Sequence, residues 1–100
     1  MYLVREVMHC KPGQVQPLVQ KFKELGKAFK KMGYKSPIRV MTDMSGERYW
    51  TLVSEQEVDS LEEYLAMSRK TMSDPKVQKA MKRYHDLVES GHREIYRIES

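Results

Sequence analysis

The sequence predicts one α+β domain in which four strands and three helices follow one another in the order β-α-β-β-α-α-β. Three observations carry this prediction. The chain has 100 residues, which is the size of one domain. An apolar stripe at helical spacing runs through residues 14–32. Short alternating segments rich in β-branched and aromatic residues recur on either side of it. No linker, repeat or low-complexity run interrupts the sequence, so residues 1–100 are predicted to form a single domain.

The first part of the chain is predicted to form a strand and a long helix. Residues 2–9 alternate in pattern and are rich in Val, Leu and Tyr, as is typical of a strand. Pro17 has no backbone N–H, so it must lie in the first turn of the helix over residues 14–32, and Gly33 is a suitable C-terminal cap. The apolar stripe of this helix is Val15, Leu18, Val19, Phe22, Leu25, Phe29 and Met32.

The middle of the chain is predicted to form a hairpin and a second helix. The two strands extend over residues 37–43 and 48–55, and Ser45 and Gly46 mark the turn between them. From Val58 onward the apolar residues return to helical steps. This pattern predicts a helix that ends around Thr71.

The last part of the chain is predicted to form a third helix and a fourth strand. Ser73, Asp74 and Pro75 are typical of a helix start with proline in its favoured first position. The apolar residues Val77, Ala80, Met81, Tyr84 and Val88 predict that this helix continues until Gly91 closes it. Residues 92–99 then alternate as the final strand.

This order of elements favours a ferredoxin-like, four-stranded antiparallel sheet with all helices on one face, because crossover connections are right-handed. Both faces of the predicted strands carry apolar residues. Leu3 and Val4 lie on opposite faces of the first strand, and Leu52 and Val53 lie on opposite faces of the third. A second copy is the simplest cover for the face without helices, so we expect a sheet-to-sheet homodimer. The interleaved Arg5, Arg39 and Arg97 then need partners across the interface or a place at its wet rim.

Composition argues against several classes of partner. The net charge of +4 comes from lysines on the first helix, which indicate a solvated outer face rather than a nucleic-acid site. No apolar run of about 18 residues occurs, so no membrane contact is predicted. The N-terminal segment lacks the features of a signal peptide. The single cysteine, Cys10, excludes an internal disulfide and favours a cytoplasmic location.

Three segments resemble the dimeric α/β-barrel superfamily, which includes antibiotic-biosynthesis-type, haem-degrading, stress-responsive and NIPSNAP-like proteins. They are the first strand leading into KPG, the passage SGERYWTLVSEQEVDSLEEYLA, and SDPKVQKAM. The resemblance covers nearly the whole chain. It implies a homodimer whose sheets pack into a barrel, with a ligand cleft between sheet and helices in each subunit.

The haem-degrading members of that superfamily use an Asn on the first strand together with a Trp and a His. This chain contains no Asn, and the matching position is about Glu6. Trp50 and His85 do not stand at the spacing of those members. Haem degradation is therefore disfavoured, and no cofactor is predicted.

Two residues are candidates for catalysis. Glu6 lies in a strand predicted to be central, where burial would suit a general base; a salt bridge to Arg93, Arg97 or Lys11 is the alternative. His85 follows Tyr84 on the third helix and would shuttle a proton if it faced the cleft; the alternative is a histidine on the helix surface.

The aromatic residues Trp50, Tyr64, Tyr84 and Tyr96 are candidates for binding a flat aromatic ligand, with core packing as the alternative. His9 and His92 lack the spacing of a metal site, so no metal is predicted. Three functions remain open. One is a cofactor-independent monooxygenase acting on an aromatic or quinol-like substrate, and another is a non-catalytic ligand-binding or stress-response dimer. The third, which the charge pattern disfavours, is docking of nucleic acid or anionic lipid on the basic surface of the first helix.

Overall fold

The computed structural model describes residues 1–34 and 36–100, and within them it has the predicted α+β architecture. The strands pair antiparallel in the order β2-β3-β1-β4, as the ferredoxin-like prediction requires. The elements in chain order are β1 (Tyr2–Cys10), α1 (Val15–Lys31), β2 (Arg39–Thr42), β3 (Thr51–Val58), α2 (Leu61–Met72), α3 (Pro75–Ala80), a 3-10 turn (Tyr84–Asp86) and β4 (Val88–Arg97).

The hydrophobic core lies between the sheet and the helices. Its centre is formed by Leu18 of α1 and Leu52 of β3, both fully buried. Around them pack Cys10, Val15, Val19, Phe22, Val77 and Met81. The predicted stripe of α1 is therefore confirmed, because the residues it buries belong to that stripe. Pro17 is the third residue of α1 and lies in the first turn, as expected.

The end of α1 is fixed by a Schellman-type motif. Gly33 adopts a left-handed conformation with φ of 88°, which glycine accommodates without a Cβ clash. The N–H of Tyr34 then donates to the carbonyl of Phe29 at 3.0 Å. The two rings pack edge to face with centroids 5.4 Å apart, which adds the hydrophobic contact that accompanies this motif. The predicted cap at Gly33 is confirmed.

The third helix is shorter than predicted. It ends at Ala80 instead of continuing to Gly91, and the chain reverses at Arg83, whose φ is 65°. Lys21 donates to the carbonyls of Ala80 and Lys82 at 3.0 and 2.8 Å, which satisfies the end of the helix. Gly91 is not a helix cap but a residue of β4 opposite Met8. Tyr84 still packs against the core, which explains the helix-like spacing in the sequence.

The third strand begins later than predicted, at Thr51 instead of Arg48, and continues through Val58. The preceding segment is a loop that Asp43 closes: its carboxylate accepts from the Thr51 N–H at 2.8 Å. Trp50 has a φ of 60° and cannot continue the strand backwards. Ser60 then caps α2 by accepting from the N–H of Glu63.

The sheet face opposite the helices is the open face, and it carries a mixture of apolar and charged side chains. The molecule measures 36 by 35 by 17 Å between Cα atoms, the shape of two layers rather than three. Arg5 lies 2.6 Å from Glu55 and 3.3 Å from Glu94 on the two neighbouring strands. Arg39 lies 3.9 Å from Glu55. Arg5 and Arg39 therefore each have a carboxylate partner within their own chain.

Candidate functional site

A cavity of about 260 Å³ opens between the sheet and the three helices, and we call it the cleft. Its walls are mostly apolar, and a few polar groups converge on it, as in small-molecule sites generally. The apolar wall residues are Val4, Met8, Phe22, Leu25, Phe29, Ile38, Met72 and Met81. The polar residues are Glu6, Ser54, Gln56, Tyr64, Ser68 and Arg93, and Tyr84 of the 3-10 turn also lines the cleft.

An ion pair marks the polar end of the cleft. Glu6 on β1 stands directly opposite Arg93 on β4 in the strand register, and the Arg93 Nε donates to Glu6 Oε1 at 2.5 Å. The Glu6 side chain is 21% exposed and the Arg93 side chain 45% exposed. This arrangement is one of the salt bridges that the sequence allowed for Glu6. A ligand in the cleft would therefore meet both a carboxylate and a guanidinium, whose opposite charges largely cancel.

Tyr64 brings a phenol to the same end of the cleft. It stands on the inner side of α2, is only 6% exposed and packs with Val4 and Val58. Burial raises the pKa of its hydroxyl; of the nearby charges, Arg93 opposes this shift and Glu6 adds to it. The phenol therefore stays protonated near neutral pH and can donate a hydrogen bond to a ligand.

Of the six predicted site residues, the cleft brings together Glu6, Tyr64 and Tyr84. His85 lies on the exposed side of the 3-10 turn, stacked on Tyr84 with ring centroids 3.9 Å apart, and is not a lining residue.

Trp50 and Tyr96 stand apart from the cleft. Trp50 is exposed at the end of the hairpin loop. Tyr96 faces the open side of the sheet, where its hydroxyl donates to Glu94. The single aromatic pocket suggested by the sequence is therefore divided between separate surfaces.

The polar residues of β3 in the cleft were missed by the sequence reasoning. Ser54 and Gln56 are each 6% exposed and occupy the same sheet face as Leu52. Polar residues at alternate positions of a buried strand face were the signal that could have found them. Gln56 is held by its Nε2, which donates to the Ser36 carbonyl at 3.4 Å.

No family model and no curated protein matches the chain. Solved structures do match. A NIPSNAP domain protein of Burkholderia xenovorans superposes with a TM-score of 0.81 at 16% identity, over 100% of this chain and 96% of that one. A NIPSNAP family protein of unknown function from Agrobacterium tumefaciens gives 0.82 at 16% identity, over 98% and 87%. The predicted fold resemblance is confirmed.

A third match has the same fold and a provisional enzyme name. A Chloroflexus aurantiacus protein, provisionally named an antibiotic biosynthesis monooxygenase, has a TM-score of 0.67 at 18% identity. The alignment covers 99% of this chain and 94% of that one. At these identities the likeness concerns the fold, and the chemistry has to be argued from the site.

The described residues hold neither a metal-ligand cluster nor a membrane-spanning helix. Residues 1–34 and 36–100 contain no group of three His, Cys, Asp or Glu side chains placed to hold a metal ion. None of the described helices α1, α2 and α3 is long and apolar enough to cross a membrane.

Proposed function

We propose that this chain binds a small aromatic or quinol-like molecule in the cleft between sheet and helices. The observation that carries the proposal is the ion pair of Glu6 and Arg93 beside the buried Tyr64 phenol, at one end of a mostly apolar cavity. A flat apolar body would fill the side lined by methionine and phenylalanine, whose soft side chains adapt to its shape. A hydroxyl or carbonyl group would meet Arg93 and Tyr64.

Blocking the cleft tests this proposal. Ser68 lines the cleft from α2, so Ser68→Phe places a ring where the ligand would lie, whereas Ala66→Phe adds the same ring on the exposed side of α2. In a melting scan with menadiol and anthrone, a ligand at a hundred times its Kd stabilises the native state by about 2.7 kcal/mol. We expect the Tm shift in the parent chain and in Ala66→Phe, and its loss in Ser68→Phe. A flat response of the parent chain, or equal shifts in both variants, would refute binding in the cleft.

The position of Glu6 favours a second candidate function, a cofactor-independent monooxygenase. In this reaction Glu6 removes a proton from an acidic CH₂ group of an anthrone-like substrate, and Arg93 pairs with the resulting anion. Molecular oxygen then takes four electrons from that carbon, which becomes a carbonyl. One oxygen atom enters the product and the other leaves as water.

Oxygen uptake with anthrone measures this activity. Glu6→Gln keeps the shape of the side chain but removes the base, and loss of a general base lowers rates by about 10²- to 10⁴-fold. Glu57→Gln, at an exposed position of β3, is the matched control and should retain the rate. If Glu6→Gln turns over as fast as the parent chain, Glu6 is not the base; if the parent chain takes up no oxygen beyond the rate without protein, the chain is not this enzyme.

The chain is also proposed to act as a homodimer that buries the open face. Val7, Met41 and Val53 lie on this face with no helix over them, and Tyr96 is half exposed. The charged groups there are already paired: Glu94 accepts from Tyr96 at 2.8 Å and contacts His92 at 2.6 Å. These bonds lower the pKa of Glu94. Burying the open face in a dimer would therefore leave few charges without partners, which reduces the desolvation cost of forming the interface.

A further inference from the structure

A second concave surface lies outside the cleft, between α1 and the edge strand β2, and we call it the α1–β2 groove. Its cavity volume is about 860 Å³, which is within the range of small-molecule sites. Phe22, Tyr34, Ile38 and Val40 give it an apolar floor. Tyr34 is fixed there by the Schellman-type end of α1, and burial helps to raise the pKa of its phenol to about 12, so the floor stays uncharged at neutral pH.

The rim of the groove is positively charged. Lys23, Lys27 and Lys30 follow one another at steps of four and three on α1, so all three stand along the same edge of the groove. Lys27 contacts Glu24 at 3.2 Å, but that carboxylate does not line the groove. Among the described lining residues, none is acidic. The groove therefore combines an apolar floor with an unbalanced positive rim.

A glycine keeps the groove open. Gly26 is in the middle of α1, where glycine is less stable than alanine by about 0.5–1 kcal/mol. A Cβ built on it meets nothing within 4 Å, so packing within the chain does not demand a glycine here. Gly26 does line the groove, however, and a larger residue at this position would fill part of it.

We infer that the α1–β2 groove binds a single-chain anionic amphiphile of the fatty-acid class. The alkyl chain lies on the apolar floor past Gly26, and the carboxylate lies at the lysine rim. The lysine rim favours an anionic head group by charge complementarity. The concave shape of the groove suits one extended alkyl chain better than the flat surface of a bilayer. The site is separate from the cleft, although Phe22 and Ile38 form part of the wall between them.

Titration calorimetry with octanoate, decanoate and dodecanoate, each below its micelle concentration, tests the inference. Affinity is expected to rise by up to about fourfold per added methylene, which corresponds to about 0.8 kcal/mol. Decan-1-ol has the same chain as decanoate without the charge and should bind at least tenfold more weakly. The combined Lys23→Gln, Lys27→Gln and Lys30→Gln variant should remove this preference for the anion.

Gly26→Leu provides the decisive variant, because it fills the groove and raises the helix propensity of α1. We expect at least a tenfold loss of decanoate affinity with an unchanged or higher Tm. Gln20→Leu, at an exposed position of α1 outside the groove, should bind normally, and so should the cleft variant Ser68→Phe. Unchanged binding in Gly26→Leu, equal affinity for decan-1-ol, or binding only to vesicles containing phosphatidylserine would overturn the inference.

Discussion

Replacing Val53 with arginine is expected to dissociate the proposed homodimer into monomers. The side chain of Val53 lies on the open face of β3, whereas that of the preceding residue, Leu52, lies on the helix face. An interface on this face would bury the new guanidinium without a partner, and an uncompensated buried charge costs about 3–5 kcal/mol. Each dimer contains the substitution twice. Sedimentation equilibrium should therefore show the dimer dissociation constant rising by at least roughly a thousandfold.

The matched control for Val53→Arg is Gln20→Arg, which adds the same charge at an exposed position of α1. Its dissociation constant should equal that of the parent chain. Both variants should retain their helix content, since neither position belongs to the buried core. A parent chain that sediments as a stable, folded monomer at micromolar concentration would disprove the dimer, whatever the variants do.

The fold could be predicted because its strongest signals are local. The stripe of α1, the proline in its first turn and the glycine after it each follow from residues close together in sequence. The sheet order then follows from the handedness of crossovers. What the sequence did not show were contacts between distant residues, such as Lys21 at the end of α3 or Asp43 at the start of β3. These contacts set the element boundaries that were wrong.

The site was predicted only in part for the same reason. Glu6 and Tyr64 face the cleft because strand and helix periodicity place them on the inner side of their elements. Trp50 and Tyr96 share only their residue type with this group. The backbone of Trp50 is itself left-handed, so β3 begins after it. Strand alternation turns Tyr96 to the open face. Residue type identifies candidates, and the register decides which of them meet.

Gly91→Ala is expected to lower the free energy of unfolding by about 1–3 kcal/mol, the range for overpacking a filled site. Gly91 faces β1 next to the irregular pairing at His9 and Cys10. A Cβ there would lie 2.9 Å from the carbonyl oxygen of Val7 and 3.0 Å from the sulfur of Met8. The Met8 side chain can move, but the Val7 carbonyl belongs to the sheet. The methyl group therefore has to push β4 away from β1.

Urea unfolding followed by circular dichroism measures this effect, with Gly46→Ala as the control. A Cβ at Gly46 would be 3.9 Å from the nearest side-chain atom, an ordinary contact, so that variant should stay within about 0.5 kcal/mol of the parent chain. The expected cost comes from this steric contact and not from backbone conformation, because Gly91 is a strand residue without a positive φ. A neutral Gly91→Ala would mean that β4 does not approach β1 closely at this point, and the pairing of Glu6 with Arg93 two positions away would then lose its structural basis.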